Sequence, residues 1–153
     1  MLLSEKFGAA RLPQMREHMK QFAASFGITD MQFRDRSPNT RRALAIAELA
    51  RDEGKLDAFR DLAMDAHWRR TMDLENDADL RTISAEAGLD PDQALAASAD
   101  PKFLARIDAR REEANAVGVT GIPTFVMGNQ ALVGCQPYEV MEEFAQACGA
   151  KRR

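Results

Sequence analysis

Residues 119–136 read Val-Thr-Gly-Ile-Pro-Thr-Phe-Val-Met-Gly-Asn-Gln-Ala-Leu-Val-Gly-Cys-Gln and carry the strongest structural signal in the chain. Two short apolar runs, 124–127 and 131–133, are separated by Gly128-Asn129-Gln130, where Gly and Asn accept the positive φ angles of a tight turn. The pattern predicts a β-hairpin. An isolated hairpin is marginal in water, and these apolar runs are typical of strands in a larger sheet that is covered on both faces.

The rest of the chain offers few candidates for further strands. Either another chain supplies them, or the sheet packs mainly on its own helices and leaves an edge exposed. Helical periodicity dominates the first 117 residues, and apolar spacing, caps and glycine stops predict helices over 13–27, 41–53, 56–72, 77–88, from 91 onward, and 101–117. A last helix starts at Gln136-Pro137 and ends at Gly149. The fold class is therefore mostly α with a small β-hairpin.

Met15, Met19, Phe22 and Phe26 recur at helical spacing in the first predicted helix. We interpret this stripe as core packing rather than as a binding surface. The inward face of the predicted helix 56–72 is expected to hold Leu56, Phe59, Ala63 and Ala66. The inward face of the predicted helix 77–88 is expected to hold Leu80, Ile83 and Ala87.

Composition excludes several classes of protein. The chain has 153 residues, enough for about one domain, and a net charge of −3 from 21 basic and 24 acidic residues. This balance gives no electrostatic basis for binding nucleic acid or an anionic membrane, and the basic end, 151–153, is too short to change that. No secretory apolar region and no apolar run of ~18 residues occur. We therefore predict a soluble, cytoplasmic protein.

The two cysteines, Cys135 and Cys148, flank a segment that is predicted to be helical. Thirteen helical positions place their α-carbons roughly 15–20 Å apart, whereas a disulfide needs about 4.4–6.8 Å. We predict no bridge between them. Cys135 is expected to be a small, partly buried residue at a strand end, with a redox role as the alternative.

His18 and His67 lack metal-ligand spacing and are predicted to be helix-face histidines, so no metal site is expected.

Several local strings resemble one known family. They are residues 113–125, Glu-Ala-Asn-Ala-Val-Gly-Val-Thr-Gly-Ile-Pro-Thr-Phe, then Asn39-Thr40, the turn at 85–90, and Gly-Cys-Gln-Pro at 134–137. Together they resemble the DsbA-like thioredoxin family, particularly its FrnE-like branch and the related 2-hydroxychromene-2-carboxylate isomerases. The resemblance implies a thioredoxin fold interrupted by a helical insertion. Residues 4–117 would be mostly that insertion and 118–148 the C-terminal β-β-α unit, together forming one compact domain.

The resemblance also implies a substrate-binding loop. In the family the proline at the position of Pro123 is cis, and the backbone of the preceding residue, here Ile122, pairs with an extended peptide or thiol substrate. We therefore predict that Thr120, Gly121, Ile122 and Pro123 bind substrate. The alternative is a turn that only shapes the hairpin.

The family's N-terminal β-α-β unit, with the Cys-x-x-Cys that performs its chemistry, has no counterpart in these residues. No catalytic residue is predicted here. Cys135 precedes a helix but lies at the wrong place in the family pattern and has no resolving cysteine nearby.

Three functions follow. The first is a thiol–disulfide oxidoreductase of the DsbA and FrnE-like type, truncated and lacking its own redox pair. The second is a glutathione-dependent isomerase or transferase, for which glutathione would be the cofactor and would bind near Pro123; the other readings need no cofactor. The third is a non-catalytic module that completes its sheet as a homodimer or with a partner chain. Whether the chain is an active enzyme is left open by its sequence.

Overall fold

The structure is a computed structural model that describes residues 2–70 and 72–151, and it confirms a mostly helical chain with a small antiparallel sheet. In the described residues the order of elements is α1 (Leu3–Phe7), α2 (Leu12–Ala24), α3 (Arg41–Asp52), α4 (Leu56–Trp68), α5 (Asp77–Glu86), α6 (Pro91–Ala97), α7 (Pro101–Ala116), β1 (Thr124–Met127), β2 (Gln130–Val133) and α8 (Tyr138–Ala147). Within this part of the chain no helix is both long and apolar enough to span a bilayer.

Side-chain caps explain why two helices begin where the sequence predicts. At the start of α5, Oδ1 of Asn76 accepts the backbone N–H groups of Ala78 at 2.8 Å and Asp79 at 3.2 Å. The carboxylate of Asp90 does the same for the first amides of α6, where Pro91 occupies the first turn and needs no N–H partner. These contacts satisfy donors that have no partner inside their helix.

The helix predicted over 56–72 is too long, because α4 ends at Trp68. The N–H of Arg70 bonds the carbonyl of Asp65, and that of Met72 bonds the carbonyl of Ala66, so the last turn widens and the chain leaves the helix. Thr71 falls in this predicted helix and lies outside the described residues, as do Met1 and the Arg152-Arg153 end of the basic tail. Helix α1 was not predicted, because five residues carry too little periodicity to be recognised.

The chain divides into two compact units, one up to Asp108 and one from Ala109 onward, and the division falls inside α7. The core of the first unit lies among α3 to α7 and the segments that join them, and a smaller buried cluster there holds Ala45, Ala97 and Phe103. The larger cluster comprises Ala43, Ile46, Ala50, Phe59, Ala66, Leu74, Leu80, Ile83, Ala87, Leu89 and Ala94. The predicted inward positions of α5 are therefore confirmed. The predicted boundaries 4–117 and 118–148, and a single compact domain, stay predictions.

The Met and Phe stripe of α2 is not core, so that interpretation was wrong. Among the described residues of α2 only Ala23 is buried, while Phe22 and Phe26 are about half exposed, at 46% and 50%. The two rings contact each other edge to face, with centroids 5.2 Å apart. The reason is that the buried clusters of the first unit are built from α3 to α7 and the segments between them, and neither cluster includes a residue of α2.

The second unit contains the hairpin and α8. Strands β1 and β2 pair antiparallel from Thr124↔Val133 to Met127↔Gln130, and Gly128 turns the chain with a φ of 61°. Strand β2 starts one residue earlier than predicted. Among the described residues from 109 to 151 none is buried, and apolar side chains of both sheet faces, such as Phe125 and Val126, are exposed.

Candidate functional site

The loop 118–123 connects α7 to β1. Its first residue, Gly118, ends the helix and fixes the start of the loop. Gly118 adopts a φ of 78°, and its N–H bonds the carbonyl of Asn115 at 3.0 Å. The N–H of Val119 bonds the carbonyl of Ala114 at 2.9 Å. A residue with a side chain rarely adopts this conformation, so glycine is needed to end the helix and direct the chain into the loop.

Hydrogen bonds fix the other end of the loop. The Ile122–Pro123 peptide bond is cis, and the carbonyl of Pro123 accepts the N–H of Gly134 at 2.8 Å. Oγ1 of Thr124 donates to the carbonyl of Gly121 at 2.6 Å. A β-carbon on Gly121 would lie 3.3 Å from Cγ1 of Val133, so the loop backbone lies tightly against the end of β2.

All four predicted binding residues lie in this loop, and their exposure differs. The side chain of Ile122 is 92% exposed, Thr120 and Pro123 are also exposed, and Gly121 is partly covered. A large apolar side chain that is almost fully in water contributes nothing to folding by burial. The loop therefore presents Ile122 on a backbone that hydrogen bonds hold in place.

The hairpin leaves strand-edge hydrogen-bonding groups beside this loop. The Gly134 N–H bonds the Pro123 carbonyl, so residues 123 and 134 form a hydrogen-bonded pair. Hydrogen-bonded and non-bonded pairs alternate along an antiparallel ladder, and Thr124↔Val133 is therefore a non-bonded pair. The N–H and C=O groups of Thr124 and Val126 then point away from β2. In the described part of the chain the sheet has two strands, so this edge of β1 has no strand beside it.

Cys135 is exposed, so the prediction that it is partly buried was wrong. It lies two residues after the end of β2, whose last residue, Val133, is itself 50% exposed, and its neighbour Gln136 donates from Nε2 to the carbonyl of Val133 at 2.9 Å. Cys148 is partly buried, and both cysteines are free thiols, as predicted. Within the described residues no group of three His, Cys, Asp or Glu side chains is placed to hold a metal ion.

His67 lies in more specific surroundings than a helix-face histidine. It is partly buried near the end of α4, its ring contacts that of Trp68 with centroids 4.7 Å apart, and its Nδ1 is buried without a partner. Burial lowers the pKa of His67 below its ordinary value, the positive charge of Arg34 lowers the pKa further, and Asp73 opposes both. In the sequence, His67 directly follows Ala66, which was predicted to face inward, and this position was the available signal of its burial.

Comparisons with known proteins show which family and which solved structure this chain is similar to. A family model described as the DSBA-like thioredoxin domain matches residues 3–146, a range that includes the loop and the hairpin. Among solved structures, a probable DsbA oxidoreductase from Streptomyces coelicolor is similar, with a TM-score of 0.83 and 26% sequence identity. The similarity covers 99% of this chain and 67% of that one. No match was found among curated proteins.

Proposed function

This chain belongs to the DsbA-like thioredoxin family, and we propose that it is the substrate-binding part of a thiol–disulfide oxidoreductase of the FrnE-like type. The observation that carries the proposal is the exposure of Ile122, at 92%, in a loop that hydrogen bonds fix on both sides. The similar protein from Streptomyces coelicolor is a probable DsbA oxidoreductase, which supports this class of activity. On this proposal the chain is truncated, and the redox cysteine pair lies outside these 153 residues.

Substrate would bind as an extended segment along residues 120–123. The backbone of Ile122 exchanges hydrogen bonds with it as one strand does with another, and the Ile122 side chain contacts an apolar side chain of the substrate. Recognition through the backbone tolerates many sequences. An oxidoreductase that acts on unrelated polypeptides needs that tolerance.

The chemistry of the proposed reaction is thiol–disulfide exchange. A thiolate attacks one sulfur of a disulfide, a mixed disulfide forms, and the other sulfur leaves as a thiolate. Neither Cys135 nor Cys148 has a second cysteine at the spacing needed to resolve such an intermediate. The residues described here therefore bind and orient substrate, and the reacting thiolate comes from the missing pair.

A second function is favoured by one observation on the second unit. None of the described residues from 109 to 151 is buried, and the hairpin exposes apolar side chains on both faces. A sheet of this kind is stabilised when a further strand and a covering layer are added. The alternative proposal is a non-catalytic module that completes its sheet as a homodimer or with a partner chain.

The intact mass and thiol content of the native protein distinguish the two. We expect a mass above the 17.0 kDa of these residues and two additional cysteines that react with an alkylating agent only after reduction. The purified native protein should then reduce insulin disulfides in the presence of dithiothreitol. A native mass of 17.0 kDa, with Cys135 and Cys148 as the only thiols, would contradict the oxidoreductase and leave the interaction module. Tight binding of glutathione without dithiol chemistry would instead favour the isomerase branch.

A further inference from the structure

A groove of about 310 Å³ lies in the first unit, away from the loop in sequence. Its walls come from α1, α2, the segment 32–38 and the end of α4, and most of the side chains are apolar: Leu3, Phe7, Leu12, Met15, Met19, Phe33 and Trp68. Binding sites for small molecules are mostly apolar pockets of roughly 300–1,000 Å³ with a few polar groups. The groove is at the small end of that range.

The charged groups that line the groove are all basic. They are Arg16, Arg34 and Arg36, and no carboxylate is among the lining residues. Arg16 and Arg36 are partly neutralised by ion pairs with acidic residues next to the groove, at 2.8 Å and 2.7 Å. Among the described residues no carboxylate forms an ion pair with Arg34, which donates from Nη2 to the carbonyl of Met72. Of the three arginines, Arg34 is therefore the one without an ion-pair partner among the described residues.

Three nitrogen atoms of these side chains are buried without a hydrogen-bond partner. They are Nε of Arg16, Nε of Arg34 and Nδ1 of His67. Buried polar atoms in native proteins are nearly always paired, so a cluster of unpaired atoms around one groove needs an explanation. A guanidinium group matches a carboxylate in both charge and planar geometry, and such bonds are among the strongest that proteins form.

We propose that this groove binds a small amphipathic carboxylate. The carboxylate group accepts N–H bonds from Arg16 and Arg34, and the apolar body lies against Met15, Phe33 and Trp68. The charge of the groove selects an anion, its apolar walls select a hydrocarbon or aryl body, and its volume limits the ligand to a short one. This site shares no residue with the loop 120–123 and does not depend on the redox proposal.

Trp68 is the one tryptophan of the sequence and lines the groove, so its fluorescence reports directly on occupancy. Octanoate is a suitable probe, and 1-octanol is its matched control because it has the same apolar body without the charge. We expect octanoate to change the Trp68 emission saturably and to bind at least about tenfold more tightly than 1-octanol. Equal binding of the two, or no saturable change with octanoate in the full native chain, would overturn the proposal.

A pair of variants tests the charged contact. Arg34→Gln should weaken octanoate binding at least about tenfold and leave 1-octanol binding unchanged. Arg60→Gln is the control, because Arg60 lies on the same helix as Trp68 but outside the groove, and it should bind octanoate as the parent does. Circular dichroism shows whether each variant folds. If Arg34→Gln does not fold, the comparison of octanoate with 1-octanol in the unmodified protein still decides the question.

Discussion

Two apolar residues on α3 show how position on a helix decides the stabilising role of a side chain. Ile46 is 0% exposed and belongs to the main core cluster, whereas Leu44, two residues earlier, is 48% exposed. Ile46→Ala should reduce the free energy of unfolding by about 2–5 kcal/mol, because it removes buried methyl groups and leaves a cavity. Leu44→Ala should change it by less than about 0.5 kcal/mol. Urea denaturation of both variants measures the difference, and equal losses would contradict this packing.

The pH dependence of stability tests the surroundings of His67. Burial and then Arg34 lower the pKa of His67 in the folded protein below 6.5, with Asp73 opposing them, so the unfolded chain binds the proton more readily. The folded state is therefore penalised as the pH falls below 6.5, and the penalty is absent above that value. His67 makes folding less favourable at pH 5 than at pH 8.

The variant His67→Gln carries no titrating group at this position and should lose less stability than the parent between pH 8 and pH 5. Urea denaturation at both pH values measures this for each protein. His18→Gln is the control, because His18 is exposed on α2. A parent and a His67→Gln variant with the same pH dependence would show that His67 does not experience the burial described here.

At the scale of elements, the hairpin turn depends on one glycine. Gly128 has a φ of 61°, and a β-carbon added there would meet no atom within 4 Å, so only the backbone conformation resists substitution. Gly128→Ala should destabilise the hairpin by about 1–2 kcal/mol, the cost of this conformation for a residue with a side chain. Hydrogen exchange of the Phe125 and Met127 amides should become faster, while the amides of α3 should be unaffected. Unchanged exchange in the hairpin would contradict the turn geometry.

The elements that the sequence predicted are those with strong local signals. Asn76 and Asp90 begin helices through their own side chains, and the glycine turn follows from two apolar runs around Gly128. The features that were missed depend on contacts between distant residues. Phe26 is exposed because other helices fill the core, and Cys135 is exposed because it follows the half-exposed end of β2. Periodicity shows that a face is apolar but not which element packs against it.

The candidate site was predictable only in part for the same reason. The loop 120–123 is contiguous in sequence, so its four residues could be named from the resemblance, but the 92% exposure of Ile122 could not. The groove around Trp68 brings together residues from 3 to 68, and no local pattern links them. Its unpaired arginine and histidine atoms become visible only when the fold is known.

At the scale of the whole molecule, the two units differ in how much they bury. The first contains a core around Phe59 and Leu80, whereas none of the described residues of the second is buried. Local opening is easier where few apolar contacts are lost. Amides of α3 and α5 should therefore exchange more slowly than those of β1, β2 and α8. Hairpin amides protected as strongly as the core in dilute protein would contradict this difference, and protection that rises with protein concentration would support a homodimer.

The central claim is that residues 120–123 bind an extended polypeptide, and nuclear magnetic resonance of the isotope-labelled protein tests it most directly. The probe is an apolar peptide of eight residues in which serine replaces cysteine, so that no disulfide can form. We expect the amide signals of Thr120, Gly121 and Ile122 to shift, and Ile122→Ser to weaken binding severalfold. Tyr138→Ser is the control, because Tyr138 is 70% exposed on α8 outside the loop, and it should bind as the parent does. Signals that shift elsewhere and not in the loop, or equal losses in the two variants, would contradict the claim.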